Sequence, residues 1–150
     1  MREAIRLAEE GMQAGRGGPF GCVVVRKGAI VGRGGNCVTS SNDPTAHAEV
    51  SAIREACGAL RTFQLADCEL YTSCEPCPMC LAAIYWARIP TVYYGNTRAD
   101  AAAIGFDDDF IYRQVALPPD RRVVAMRPLL HEETLATFRH WAAKPDKVQY

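Results

Sequence analysis

The spacing of apolar residues along the chain predicts helices and strands in alternation. Apolar residues that recur every three or four positions indicate an amphipathic helix, and apolar residues that alternate with polar ones indicate a strand. The first helix, for example, would bury Ile5, Leu7, Ala8 and Met12 on one side. These patterns predict helices over 2–14, 44–57, 78–88 and 129–143, a helical or turn-like stretch over 99–114, and strands over 20–26, 29–38, 68–72, 91–94 and 122–126. This order is typical of an α/β fold.

The connections between the predicted strands indicate their directions. Lys27-Gly28 supplies a turn, so the first two strands should form an antiparallel hairpin. The later strands are joined by helices, and crossovers of this kind join parallel strands. We therefore expect a single domain over residues 1–150, an α/β/α sandwich of three layers with a five-stranded mixed sheet.

Charge and composition narrow the classes of partner. The chain has 17 Lys and Arg against 17 Asp and Glu, and it contains no basic run. Binding to DNA or RNA depends on neutralising phosphates, so a nucleic-acid partner is not expected. No apolar run approaches the ~18 residues of a membrane span, and the first residues lack the apolar region of a signal peptide. We expect a cytoplasmic protein with no membrane partner.

The cysteines point to metal binding instead of disulfide bonds. The chain has seven of them, an odd number, and no secretory signal. We expect Cys22, Cys37, Cys57 and Cys68, which fall in apolar strands or helix faces, to be small core residues.

Two short segments carry candidate chemistry, His47-Ala48-Glu49 and Cys77-Pro78-Met79-Cys80. Zinc prefers imidazole nitrogen and thiolate sulfur. The first segment lies early in a helix predicted to start at Pro44, with Asp43 as its cap. The second starts a helix of its own, and the positive end of a helix lowers the pKa of a thiol. We expect one Zn²⁺ per chain, held by His47, Cys77 and Cys80.

Three protein ligands leave one position of a tetrahedral zinc for water, which is typical of catalytic sites. Zinc lowers the pKa of bound water toward about 7, so that hydroxide forms at neutral pH. Glu49 is placed to take the proton of that water and to pass it to the substrate. Two other interpretations stay open: a closed structural site with Cys74 as an additional ligand, and a zinc-stabilised binding module without activity.

The His-x-Glu and Pro-Cys-x-x-Cys pattern is that of the zinc nucleobase deaminases. Further matching stretches are Gly17-Gly18-Pro19-Phe20-Gly21, 41–50, 71–80, 84–88 and 105–112. On these residues the chain resembles the cytidine-deaminase-like zinc superfamily, and within it the bacterial guanine deaminases, for which the Gly-Phe-Asp-Asp block at 105–108 is the most specific feature. The resemblance implies a cytidine-deaminase-like fold and hydrolysis of guanine to xanthine and ammonia, with attack at C2 and Glu49 as acid and base.

The resemblance also implies contacts with the base. Asn36 would hydrogen-bond the ring, since an amide both donates and accepts, and Ala48 would lie against it. A turn-forming residue between Gly35 and Cys37 is the alternative for Asn36. Phe20 and Trp86 could stack on the ring, although core packing would explain both equally well.

The run Asp107-Asp108-Asp109 offers acceptors for a base whose reacting edge carries donors. Guanine presents its N1–H and its 2-amino group there, and Asp108 matches the second Asp of the family's block. Asp108 would accept from the substrate amine or relay a proton. A helix cap on a solvated face is the alternative for this run.

The resemblance further implies a homodimer, with the C-terminal segment, about 129–150, near an active site that can be the partner's. Tyr150, at the end of a polar tail, would then help to close the pocket, whereas a frayed terminus is the alternative. The partners expected are a purine base and water. Cytosine, guanosine and tRNA adenosine stay open as other substrates.

Overall fold

The computed structural model describes residues 1–106 and 108–150. They form two compact units, Met1–Tyr112 and Arg113–Tyr150. The first 106 residues contain helices α1 (Arg2–Gln13), α2 (Val38–Ser41), α3 (Ala48–Leu60), α4 (Pro78–Trp86) and α5 (Arg98–Ala103), and strands β1 (Gly21–Arg26), β2 (Ala29–Gly35), β3 (Cys68–Cys74) and β4 (Thr91–Asn96). Then follow α6 (Asp108–Ala116), a short 3-10 helix (Pro119–Arg121) and α7 (His131–Ala143). None of the helices described is long and apolar enough to cross a membrane.

The sheet is mixed and has the strand order β2-β1-β3-β4. β1 pairs antiparallel with β2 and with β3, while β3 and β4 run parallel. The antiparallel hairpin and the parallel pair joined by α4 confirm the directions predicted from the connections. Both faces of the sheet carry helices, and the α/β class is confirmed.

The described part of the chain contains four strands, so the prediction of a fifth at 122–126 is wrong. The backbone N–H of Val123 donates to the side-chain oxygen of Gln114 at 2.8 Å and therefore enters no ladder. The Arg122 side chain donates to the carbonyls of Leu117 and Val115 at 2.9 and 3.3 Å. Val123 and Val124 are 75% and 73% exposed. Their β-branched side chains favour a strand, but a strand also needs a neighbour to pair with.

Small residues let the helices approach the sheet closely. A Cβ at Gly34 of β2 would lie 2.0 Å from the carbonyl oxygen of Ala48, the first residue of α3. On the other face, a Cβ at Gly21 of β1 would lie 2.1 Å from the carbonyl oxygen of Ala4 in α1. Any side chain at these positions would push the helix away. Gly34 therefore fixes the start of α3, and with it His47, against the sheet.

One predicted helix boundary is wrong, and the predicted apolar face of α1 is wrong in part. The helix predicted to start at Pro44 is α3, which begins at Ala48. Asp43 does not cap it, because its carboxylate accepts hydrogen bonds from the N–H and hydroxyl of Thr45 in a local turn before the helix. In α1, the prediction is confirmed for Ala8, which is buried together with Ala4 and Gly11. It is wrong for Ile5 and Met12, which are 54% and 41% exposed. Close helix–sheet packing selects the small residues of this helix for burial.

Candidate active site

The N-terminal ends of α3 and α4 lie next to each other, as the sequence predicts. His47 is the N-cap residue of α3 and Cys77 is the N-cap residue of α4, both with extended backbone. Pro78 occupies the first turn of α4, where its missing N–H leaves no helical hydrogen bond unmade. Cys80 is in the same turn and is fully buried.

The three predicted metal ligands lie together. Nδ1 of His47 is 3.5 Å from Sγ of Cys77 and 3.5 Å from Sγ of Cys80, and all three ligand atoms lie within 4.8 Å of one another. One imidazole nitrogen and two sulfurs are a donor set that zinc prefers. The residues present therefore fit a single Zn²⁺ with room for a further ligand.

His47, Cys77 and Cys80 are called the triad below. Hydrogen bonds among these three side chains shift their pKa values. The pKa of the Cys77 thiol is lowered to about 4, chiefly because Cys80 donates to its thiolate, and His47 adds to this effect. The pKa of Cys80 is raised, first by that same bond and then by burial. The hydrogen bond to Cys77 raises the pKa of His47. The protons that link these side chains are the ones that a zinc ion replaces, so metal binding must release protons.

Cys74 does not belong to the triad. Its thiol donates to the carbonyl of Thr97 at 3.7 Å, and burial raises its pKa to about 11. Among the described residues, the group that could hold a metal consists of His47, Cys77 and Cys80. The closed three-cysteine site is therefore not what the geometry favours.

The prediction that four other cysteines are core residues is confirmed in part. Cys22 and Cys68 are buried in the sheet core, while Cys37 and Cys57 are half-buried.

Glu49 lies beside the triad in the first turn of α3 and is only 5% exposed. Burial raises the pKa of Glu49, although hydrogen bonds from its own backbone N–H, Cys80 and Thr72 oppose the rise. Thr72 of β3, itself fully buried, donates its hydroxyl to Oε1 of Glu49 at 3.1 Å. A carboxyl group whose pKa moves toward neutrality can both take and give a proton in one catalytic cycle.

A pocket opens over these groups. It brings together five residues predicted from the sequence and three that were not. Its lining is Phe20, His47, Glu49, Cys74, Glu75, Cys77, Phe106 and Asp108. Phe20 and Phe106 meet edge to face, with ring centroids 4.7 Å apart and planes at 83°. The pocket therefore has an aromatic wall near the predicted metal ligands, and the carboxylate of Asp108 is part of its lining.

The amide of Asn36 is held in one orientation at the end of β2. Its Oδ1 accepts the backbone N–H groups of Gly18 and Val38, both at 3.2 Å, and its own backbone N–H donates to the carbonyl of Phe20 at 2.9 Å. The residue is 5% exposed. Since the oxygen already accepts two bonds, the NH2 group is the part of this amide that can serve a ligand.

Three residues of the first unit that were predicted to contact the base, Asn36, Ala48 and Trp86, are not among the residues that line the pocket. Ala48 is fully buried between His47 and Glu49. Trp86 ends α4 and is 61% exposed, and Tyr150 is 69% exposed. Their contacts with a base stay predictions, and Asp107 lies outside the described residues.

Thr72 and Tyr112 lie within the matching stretches 71–80 and 105–112, but no local pattern assigned a role to either residue. Thr72 reads as one more strand residue, because its partner Glu49 is 23 positions away. The Tyr112 hydroxyl donates to the carbonyl of Pro76 at 2.9 Å, which ties α6 to the loop before Cys77. Phe106 lies in the Gly-Phe-Asp-Asp block, so the block itself was the available signal for it.

Comparison with known proteins identifies the family of this chain. Residues 1–96 match the family described as cytidine and deoxycytidylate deaminase zinc-binding region. Guanine deaminase from Bacillus subtilis is 53% identical over 150 residues, which are 100% of this chain and 96% of the relative. Its solved structure superposes with a TM-score of 0.96, covering 99% of this chain and 95% of that one.

More distant relatives match in structure or in sequence. The structure of guanine deaminase from Nitrosomonas europaea has a TM-score of 0.67 at 29% identity, covering 94% of this chain and 81% of that one. A tRNA-specific adenosine deaminase from Agrobacterium fabrum is 49% identical over 86 residues, which are 57% of each chain. The chain belongs to the cytidine and deoxycytidylate deaminase family and carries that family's zinc-binding region.

Proposed function

We propose that this protein is a zinc-dependent guanine deaminase, which hydrolyses guanine to xanthine and ammonia. The observation that carries the proposal is one pocket lined by His47 and Cys77 of the triad, by the buried Glu49 and by an aromatic wall. The 53% identity to Bacillus subtilis guanine deaminase over the whole chain supports guanine as the base.

Glu49 moves the protons of the reaction. A zinc ion on the triad supplies a Lewis acid that lowers the pKa of water toward about 7. As water adds to C2 of guanine, Glu49 accepts a proton and delivers it to the ring nitrogen N3. It then takes the second water proton and gives it to the departing 2-amino nitrogen. The products are xanthine and ammonia, and Glu49 returns to its starting state.

Asn36 and Asp108 bind complementary edges of the base. The Asn36 NH2 group donates to an acceptor on guanine, because its oxygen is occupied by two backbone N–H groups. Asp108 accepts from a donor such as the 2-amino group, or relays a proton from it. Phe20 and Phe106 exclude water and contact the ring plane, and contacts of this kind contribute ~1–3 kcal/mol per base.

A homodimer is part of the same proposal. No residue of α6 or α7 is buried in a single chain, and Val123, Leu129 and Phe138 are 75%, 81% and 73% exposed. Large exposed apolar surfaces mark interaction sites. We infer that the segment about 129–150 is exchanged between two copies, so that Tyr150 closes the partner's pocket and Trp86 lies at the interface.

Sedimentation and truncation test the dimer. The intact chain should sediment as a dimer at micromolar concentration. A chain that ends at residue 146, without Tyr150, should show a higher KM or a lower kcat with guanine. Unchanged kinetics in the truncated protein would contradict the role of the tail.

A cytoplasmic location also belongs to the proposal. All seven cysteines are free, including the two thiol ligands of the proposed zinc site. Thiols of this kind persist in reducing compartments.

Ammonia release from a panel of bases tests the substrate. Purified protein with one zinc per chain should release ammonia from guanine, and not from adenine, cytosine, guanosine or cytidine. Release from cytosine or guanosine in preference to guanine would overturn the choice of base. If all five compounds were inert, a tRNA substrate or a binding role would replace the proposal.

A further inference from the structure

Thr72 is a polar residue in a row of buried side chains. It lies in the central part of β3, where it pairs with Cys22 of β1 and with Tyr94 of β4. Every second residue of this strand is buried from its start, namely Cys68, Leu70 and Thr72. A valine has the same shape as a threonine and would fill this position without introducing a hydroxyl group that must find a partner in the core.

The partner of that hydroxyl is the carboxyl group of Glu49. Oγ1 of Thr72 is 3.1 Å from Oε1 of Glu49, both residues are buried, and the bond crosses from the sheet to α3. A hydrogen bond to a charged acceptor is roughly twice as strong as one between neutral groups. The bond therefore ties one carboxyl oxygen of Glu49 to β3, a strand that is paired on both sides in the sheet.

Without this contact the carboxyl group would have more freedom. The terminal torsion of a glutamate side chain is broad and roughly two-fold, so packing alone selects its plane weakly. A hydrogen bond to Oε1 restricts that rotation and so limits the orientations in which the Glu49 carboxyl group can face the pocket that it lines. Catalysis is sensitive to such orientation, since small displacements of a reacting group cost large factors in rate.

We propose that Thr72 is a positioning residue for proton transfer, which orients Glu49 through its hydroxyl and touches neither the metal nor the base. The inference rests on the proposed function, in which Glu49 moves protons between water and guanine. It predicts a loss in kcat, because orientation matters for the proton transfers, and little change in KM, because the base contacts other residues.

Three variants and a control test the proposal in the zinc-loaded full chain. Thr72→Val and Thr72→Ala remove the hydroxyl, and kcat with guanine should fall about 10- to 150-fold, the range for losing a hydrogen bond to a charged group. Their KM and their zinc content should match the wild type. Thr72→Ser keeps the hydroxyl and should retain kcat within about threefold, with a lower melting temperature from the lost methyl group.

Leu70→Val is the matched control, because Leu70 lies two residues earlier on the same buried row. It should lower the melting temperature and leave kcat within about twofold. Wild-type kcat in the Thr72→Val or Thr72→Ala protein would overturn the inference, as would a loss in Thr72→Ser as large as that in Thr72→Val. A wild-type protein that leaves guanine unchanged would instead overturn the proposed function, so the two failures are distinct.

Discussion

Replacing Gly17 with alanine tests whether the loop before β1 controls substrate binding through Asn36. A Cβ at this position would lie 2.2 Å from Oδ1 and 2.6 Å from the carbonyl oxygen of Asn36, far inside van der Waals contact. Asn36 cannot shift freely, because its Oδ1 accepts from Gly18 and Val38 and its N–H donates to Phe20. The added methyl group must therefore displace the amide or the loop.

The size of the effect follows from these contacts. Overpacking of this kind costs typically 1–3 kcal/mol of stability. Loss of one neutral hydrogen bond to the base would cost about 0.5–1.5 kcal/mol, which corresponds to roughly a 2- to 13-fold rise in KM for guanine. Since the three atoms nearest to the added Cβ all belong to Asn36, kcat and zinc content should change much less.

Steady-state kinetics with guanine measure KM and kcat. Thermal melting measures the loss of stability, and zinc analysis measures the metal content. Gly58→Ala is the control, because a Cβ there meets nothing within 4 Å and the residue lies inside α3. That variant should keep its kinetics and gain up to about 1 kcal/mol of stability. A Gly17→Ala protein with the wild-type KM and melting temperature would refute the argument.

Three other predictions address catalysis, the pocket wall and stability. Glu49→Gln can still accept the hydrogen bond from the sheet but cannot carry a proton, so kcat should fall about 10²- to 10⁴-fold with zinc content unchanged; full activity would rule out proton transfer by this residue. Phe106→Ala removes half of the aromatic wall and should raise KM for guanine by about 5-fold or more, as measured against wild type at equal zinc content. Arg6, and to a smaller extent Arg33, hold the pKa of Glu3 at about 2 instead of 4.5, so Glu3 stabilises the folded state above pH 4.5 and loses this effect as the pH falls toward 2. The melting temperature of Glu3→Gln should thus lie below that of the wild type at pH 7, and the gap should shrink below pH 4.5; a constant gap would contradict this assignment.

Periodicity and turn residues were sufficient for most of the fold. The hairpin at Lys27-Gly28 and the parallel pair joined by α4 were both predicted correctly, because their signals are local. The predicted strand at 122–126 does not form, because strand pairing is not determined by local sequence alone. Its apolar residues favour a strand, but pairing depends on a neighbour that the sequence around Val123 does not specify.

The proposed metal ligands were predictable, because the spacing of the histidine and the two cysteines is typical of a zinc site. His47 and the pair Cys77 and Cys80 each lie at a helix start, and helix starts can be recognised from flanking residues. The exact start of α3 was missed, since Asp43 uses its carboxylate in a turn with Thr45. The error did not affect the site, because His47 lies at the start of the helix in both cases, and its Nδ1 is 3.5 Å from each of the two thiols.

The supporting residues of the site could not be found in the same way. Thr72 meets Glu49, and Tyr112 meets Pro76, through contacts between segments 23 and 36 positions apart. No local pattern encodes such a contact. Asn36 was predicted as a ligand of the base, but the direction of its amide follows from backbone N–H groups that only the folded chain brings together.

Zinc titration of guanine deamination tests the central claim most directly. Metal-free protein would be reconstituted with increasing zinc, and xanthine and ammonia would be measured together at each step. We expect no turnover without metal, equal amounts of the two products, and a linear rise in activity that saturates at one zinc per chain. Full activity in metal-free protein, or zinc-loaded protein that leaves guanine unchanged, would contradict the account.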